Sequence, residues 1–130
     1  MIVLDSSAAV EWLLGRPAAP LIAERFRDPE VAIHAPSLLG VEVASALRGL
    51  VLGRHMSPDR GALALSDLEA ADITMHDPMP LLQRAWALRA NLSSYDAVYV
   101  ALAESLGVPL VTLDHRLAAT ASRYCDVLVP

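Results

Sequence analysis

Five short apolar runs punctuate the chain: Ile2-Val3-Leu4, Val31-Ala32-Ile33, Ile73-Thr74-Met75, Leu110-Val111-Thr112-Leu113 and Val127-Leu128-Val129. None alternates cleanly between apolar and polar residues, and several are β-branched, as expected of strands covered on both faces in a parallel sheet. Helical patterning fills the gaps. One segment runs from about Ser6 to Leu14 and stops at Gly15, and a second follows Pro17 to about Arg27. A third follows Pro36 to about Leu52, with Gly53 as its stop. Others follow Ser57-Pro58 and Asp77-Pro78, a long one spans about Ser94 to Leu106 before Gly107, and a short one follows Asp114. Strand–helix alternation of this kind predicts an α/β fold. With 130 residues there is room for one domain, spanning 1–130, built on a mostly parallel central sheet of about five strands with helices on both faces.

In such a sheet the working groups gather beyond the carboxyl ends of the strands, where the strand order reverses. Two acids stand at strand ends: Asp5 directly after Ile-Val-Leu, and Asp114 directly after Leu-Val-Thr-Leu. Either alone reads equally well as a helix N-cap. Asp96 completes Ser93-x-x-Asp96, a variant capping box in the first turn of a helix. Glu42 is harder to explain locally. Leu38, Leu39, Ser45 and Ala46 share its helical face, with Val41 and Val43 on either side. A carboxylate in that setting costs several kcal/mol unless paired, so a nearby Arg or a metal is expected.

Together the four acids say more than any one of them. Two carboxylates about 5 Å apart repel by about 3 kcal/mol at an effective dielectric near 20. Four converging on one crevice must therefore retain protons or hold a divalent cation. Oxygen ligands without cysteine select Mg²⁺ or Mn²⁺, and a hard cation beside a groove suits phosphodiester hydrolysis.

Composition removes several competitors. A single cysteine, Cys125, excludes a disulfide framework and Cys-based zinc or iron–sulfur sites. All ten basic residues are Arg, so lysine-dependent chemistry is absent, including that of phosphoryl receiver domains. Ser7 stands where a haloacid-dehalogenase-type phosphatase needs its second Asp. Ser-Ser-Ala-Ala replaces the Gly-rich loop of a nucleotide-binding fold. A net charge of -5 argues against a stand-alone module that binds nucleic acid by counterion release. It is compatible with an acidic site that meets phosphate through a metal. No apolar stretch reaches the roughly 18 residues of a membrane span, and the N-terminus lacks a targeting pattern; a cytoplasmic protein is expected.

The segments Ile2-Val-Leu-Asp-Ser-Ser-Ala, Ala35-Pro-Ser-Leu-Leu-Gly-Val-Glu-Val-Ala-Ser-Ala-Leu-Arg, Leu92-Ser-Ser-Tyr-Asp-Ala-Val-Tyr-Val-Ala-Leu-Ala-Glu and Pro109-Leu-Val-Thr-Leu-Asp-His-Arg-Leu resemble those of PIN-domain ribonucleases. More narrowly, the chain resembles the VapC toxins of bacterial toxin–antitoxin modules over essentially its full length. The resemblance implies a Mg²⁺-dependent endoribonuclease, with Mn²⁺ a possible substitute, whose acidic quartet falls on Asp5, Glu42, Asp96 and Asp114. Asp5 and Asp96 match the most regular metal ligands. Ser7 and Thr112 match positions that orient the acids from behind. RNA as substrate, a homodimer and a cognate antitoxin that blocks the site are further implications.

Other residues are weighed against plainer roles. Arg16, Arg48, Arg54, Arg84, Arg89 and Arg116 offer either a basic rim for RNA or ordinary solvated helix faces. Trp12 and Trp86 read as core or interface, and Tyr95 is the best base-stacking candidate, with Tyr99 also considered. His34, His55, His76 and His115 are scattered, with no helical metal spacing between any two. Glu11 and Cys125 read as a surface acid and an inert thiol. Two rival functions stay open: a DNA-directed nuclease of the same fold, and a catalytically silent interaction module.

Overall fold

A computed structural model describes all residues, Met1–Pro130. The strands are β1 (Ile2–Leu4), β2 (Ile33–Pro36), β3 (Ile73–His76), β4 (Leu110–Val111) and β5 (Val127–Leu128). The helices are α1 (Ser6–Leu13), α2 (Ala19–Arg27), α3 (Leu39–Leu52), α4 (Pro58–Ala70), α5 (Leu82–Ala87), α6 (Ser94–Leu106) and α7 (His115–Ala121), with a 3₁₀ turn at Met79–Leu81. The five strands form one sheet in the order β3-β2-β1-β4-β5, and every neighbouring pair is parallel. The chain builds outward from β1 through β2 to β3, then returns to the other side of β1 for β4 and β5. The order therefore reverses between β1 and β4, which places the crevice there.

The centre of the sheet is covered on both faces. Consecutive residues of β1 point to opposite sides, yet Ile2, Val3 and Leu4 are all buried. Helix α6 packs across β1, β2 and β4, and α5 lies against it, while α1 packs with α2, α3 and α4. Within α6, every residue from Ala97 to Ala103 is buried, because that helix is enclosed between the sheet and its neighbours.

Helix ends follow their sequence signals. Gly107 takes the left-handed conformation (φ +65°) that closes α6, and Gly15 does the same after α1 (φ +63°). The Ser57 hydroxyl caps α4 by accepting from the Arg60 amide at 3.2 Å, with Pro58 in the first turn. No helix is long and apolar enough to cross a membrane.

The structure departs from the sequence reading at the margins. The second strand is Ile33–Pro36 rather than Val31–Ile33, because the Val31 amide closes a turn onto the Asp28 carbonyl. Helix α2 begins at Ala19, since Arg16 to Ala19 form a turn of their own. The Asp77-Pro78 signal opens a 3₁₀ turn before α5. The expectation of two covered faces fails on β3, where Thr74 and Met75 are exposed, because β3 is an edge strand paired only with β2.

Candidate functional site

Asp5 follows β1 directly and is 4% exposed. Its Oδ1 accepts from the Ser7 hydroxyl at 2.7 Å and the Ala8 amide at 3.0 Å, and its Oδ2 accepts from the Thr112 hydroxyl at 2.5 Å. Capping and site chemistry are thus not alternatives here. The bond from Ala8 makes Asp5 the N-cap of α1, and the same bond fixes the carboxylate at the crevice. Ser7 and Thr112 stitch the two strand ends together. Ser7 Oγ accepts from the Leu113 amide at 2.9 Å and lies 3.2 Å from Thr112 Oγ1, which accepts from the Asp114 amide at 3.0 Å.

Asp114 caps α7, accepting from the amides of Arg116 at 2.9 Å and Leu117 at 3.1 Å, and is exposed at the mouth. Asp96 sits half-buried in the first turn of α6, whose cap is the Ser93 hydroxyl, 3.2 Å from the Asp96 amide. Glu42 lies in the first turn of α3 and is also half-buried. Its partner is neither an Arg nor another acid. The hydroxyl of Tyr99, itself 1% exposed, donates to Glu42 Oε1 at 2.7 Å.

The four carboxylates form one electrostatic cluster. Burial raises the Asp5 carboxyl above the ordinary range, against its three hydrogen bonds, and the charge of Asp114 raises it further. Burial raises Glu42 as well; the Tyr99 bond opposes this, while Asp96 and Asp5 add to it. Asp96 is raised by burial and then by Asp114, with its Ser93 bond pulling the other way. Burial, then the bond to Glu42 and the surrounding acids, suppress ionisation of the Tyr99 phenol, so it stays a donor.

Nothing in the chain neutralises this charge. The only ion pair is Arg84–Glu104, 2.8 Å apart. Glu104 lies eight residues beyond Asp96 on α6, which is about 12 Å along the axis. Arg84 is therefore not a rim residue of the crevice. A cation fits the donor set, which is hard oxygen throughout and short of positive charge. No three His, Cys, Asp or Glu side chains stand close enough to cage an ion.

Several other sequence readings resolve. Trp12 stacks on Phe26 with ring centroids 4.2 Å apart, inside the α1–α2 packing. Trp86 is not core: it is 65% exposed, with the Arg89 guanidinium 4.8 Å from its ring centre. Tyr95 is 66% exposed beside Asp96, whereas Tyr99 is too deeply buried to stack on a base. Glu11 accepts from the Ala18 amide at 2.9 Å and so supports the entry to α2. Burial, with Glu104 and Asp126 nearby, pushes the Cys125 thiol up to about 11 and leaves it unreactive.

Two contacts escaped the sequence reading. Tyr99 stands three residues after Asp96, on the same helical face, and that spacing was the available signal. The histidines are not all scattered: His34 Nδ1 and His76 Nε2 are 2.8 Å apart across β2 and β3. No helical spacing could reveal that pair.

The crevice at the β1–β4 switch point is thus rimmed by carboxylates that no Arg or His of the chain pairs with. The family model described as "PIN domain" matches residues 2–123. Ribonuclease VapC12 of Mycobacterium tuberculosis is 40% identical over 127 residues, covering 98% of this chain and 97% of that protein. Ribonuclease VapC9 of the same species is 40% identical over 131 residues, covering 99% and 98%. Among solved structures, Mycobacterium tuberculosis VapC20, described as a sarcin-ricin loop cleaving toxin, superposes with a TM-score of 0.68. It covers 92% of this chain and 94% of that one at 15% identity, a likeness of fold. The chain is a PIN domain, and it belongs to the VapC ribonuclease family.

Proposed function

We propose that this chain is the toxin of a toxin–antitoxin pair and acts as a Mg²⁺-dependent endoribonuclease, with Mn²⁺ as a possible substitute. Asp5, Glu42, Asp96 and Asp114 are the residues that carry the site. The observation behind the reading is the uncompensated cluster: three of the four acids have raised carboxyl pKa values, and no Arg or His pairs with any of them. Acids held apart from cations inside a fold are costly, and a bound divalent ion removes that cost.

When bound, Mg²⁺ would supply phosphate orientation, charge neutralisation and a water of lowered pKa. The protein's part is positioning. Thr112 and Ser7 hold Asp5 in one orientation from behind, and Tyr99 holds Glu42. The amide caps of α7 hold Asp114. Tyr95, exposed beside Asp96, is a surface on which a splayed base can stack. No cysteine nucleophile or serine elbow is present, so attack is by water without a covalent enzyme intermediate.

The relatives' printed names favour RNA over DNA as substrate. A cognate antitoxin and a homodimer complete the proposal, in the cytoplasm where RNA is met. Leu82 and Trp86, exposed around a shallow depression of about 420 Å³ beside α5, offer an apolar surface for the second copy. Sedimentation of the purified chain tests the dimer, and Trp86→Ala should weaken it.

Matched RNA and DNA oligonucleotides incubated with Mg²⁺, with chelator, and with Asp5→Asn test the activity. Cleavage of RNA alone, lost with chelator and with the variant, supports the reading. Equal cleavage of DNA selects the DNA-directed alternative. No cleavage from folded, antitoxin-free protein selects the silent module.

A further inference from the structure

His34 and His76 take no part in the carboxylate site, yet the register of β2 against β3 brings them together across 42 residues of sequence. His34 stands opposite Thr74 and Pro36 opposite His76, so the two imidazoles share one face of the sheet on a diagonal. His34 Nδ1 and His76 Nε2 are 2.8 Å apart, and both side chains are half-buried. The other ring nitrogen of His34, Nε2, is buried with no partner.

A bond between two imidazoles depends on the number of protons they carry. Each neutral ring has one N–H, so one facing nitrogen donates and the other accepts. One added proton is tolerated, because one facing nitrogen still accepts. A second leaves an N–H on both facing nitrogens, and two donors at the observed 2.8 Å repel. That state also puts an N–H on His34 Nε2, where burial offers it no acceptor. The contact and a doubly charged pair exclude one another.

We propose that the His34–His76 pair is an acid-sensitive latch, which holds the C-terminal end of the edge strand β3 to β2 near neutral pH and releases it when protons from solvent charge both rings. Strand β3 has no neighbour but β2 in the sheet. The His76 carbonyl accepts from the Ser37 amide at 2.8 Å, and Ser37 leads directly into α3. Release of the strand end therefore frees the lead into that helix as well.

The surroundings set the direction. Burial lowers the pKa of His34, and the charges of His76 and of the Met1 amino group lower it further. Of the elements packed on β2, β1 brings that amino group and β3 brings His76. Neither acid of α6, Asp96 or Glu104, is among the groups that shift His34. Asp77, next to His76, is engaged in the following turn, where it accepts from the Met79 amide at 2.9 Å. A folded pKa below the ordinary 6.5 means that the latch holds above that pH and is lost as pH falls below it. It stands independently of the nuclease reading.

The test is amide hydrogen exchange of the full chain at about pH 7 and about pH 5, corrected for intrinsic rates, with histidine ¹⁵N spectra over the same range. Protection of the Ser37 amide should fall at least tenfold more than that of the Val3 amide, which bonds the Pro109 carbonyl at the centre of the sheet. In His76→Gln that excess loss should vanish, and His34 should titrate at higher pH than in the parent, because a charged neighbour has gone. Should His76→Gln fail to fold, His34→Gln takes its place in the exchange comparison, and if neither folds the parent's comparison of Ser37 with Val3 decides alone. Ser37 protection that falls no further than that of Val3, an equal excess loss in the variant, or a His34 midpoint unmoved by His76→Gln overturns the latch.

Discussion

Replacing Tyr99 by Phe removes one oxygen and leaves the ring that fills the core. The lost group is the donor to Glu42 Oε1 at 2.7 Å, a bond from a buried phenol to a carboxylate. Hydrogen bonds to charged groups contribute about 1.5–3 kcal/mol. If that energy serves to orient Glu42 for reaction, its loss lowers kcat by about ten- to a hundredfold, since 1.4 kcal/mol is a factor of ten. Stability should change little, by about 1 kcal/mol or less, because half-buried Glu42 can turn to water and no apolar contact is lost. The assay is initial-rate cleavage of an RNA oligonucleotide in saturating Mg²⁺, paired with a thermal melt. An unchanged kcat refutes a positioning role for Tyr99. A melting temperature that collapses with the activity shows that the hydroxyl supports the core instead.

Thr112→Val keeps the shape of a fully buried side chain but removes the donor to Asp5 Oδ2. It should lower the melting temperature, at a cost of about 1–3 kcal/mol, and reduce cleavage with it. Asp5→Asn should do the reverse for stability. In chelator at neutral pH it should raise the melting temperature by about 2–6 °C, because it removes a buried charge with no counter-ion. The sign with pH follows from the raised carboxyl of Asp5. Folded protein holds that proton more tightly than unfolded chain, so the charge penalty is present above the raised pKa and fades as pH falls through it. The stabilising effect of Asp5→Asn should therefore shrink on acidification, which a set of melts across pH 7 to 4 measures. The lowered pKa of His34 acts oppositely, with stability lost as pH falls below the ordinary 6.5. A gain that does not shrink as pH falls contradicts a buried, charged Asp5.

Asp5 and Asp114 were legible in the sequence because strand ends and helix starts are local features. The apolar run before each acid marks the strand, and the acid itself caps the next helix. Glu42 was legible as an anomaly, a charge among apolar neighbours, but its resolution was not. An Arg or a metal was the expected partner, and the structure supplies a tyrosine hydroxyl 57 residues away. The meeting of Glu42 on α3 with Tyr99 on α6 is a long-range contact, which no local pattern encodes. His34 and His76 fail to stand out for the same reason, since their meeting depends on the register of β2 against β3. The edge strands misled in another way. Ile73-Thr74-Met75 carries the composition of an interior strand, but strand order leaves it at the rim, with Thr74 and Met75 exposed. Arg84 read equally as a basic rim residue or a solvated helix face, and its partner Glu104 draws it to the far end of α6.

The most direct test of the account is calorimetric titration of Mg²⁺ into the purified, metal-stripped chain and into Asp5→Asn, with RNA cleavage followed on the same samples. The account predicts that the parent binds Mg²⁺, that binding is at least tenfold weaker in the variant, and that cleavage rises with occupancy. RNA cleavage that persists in chelator, or Mg²⁺ binding untouched by Asp5→Asn, would contradict it.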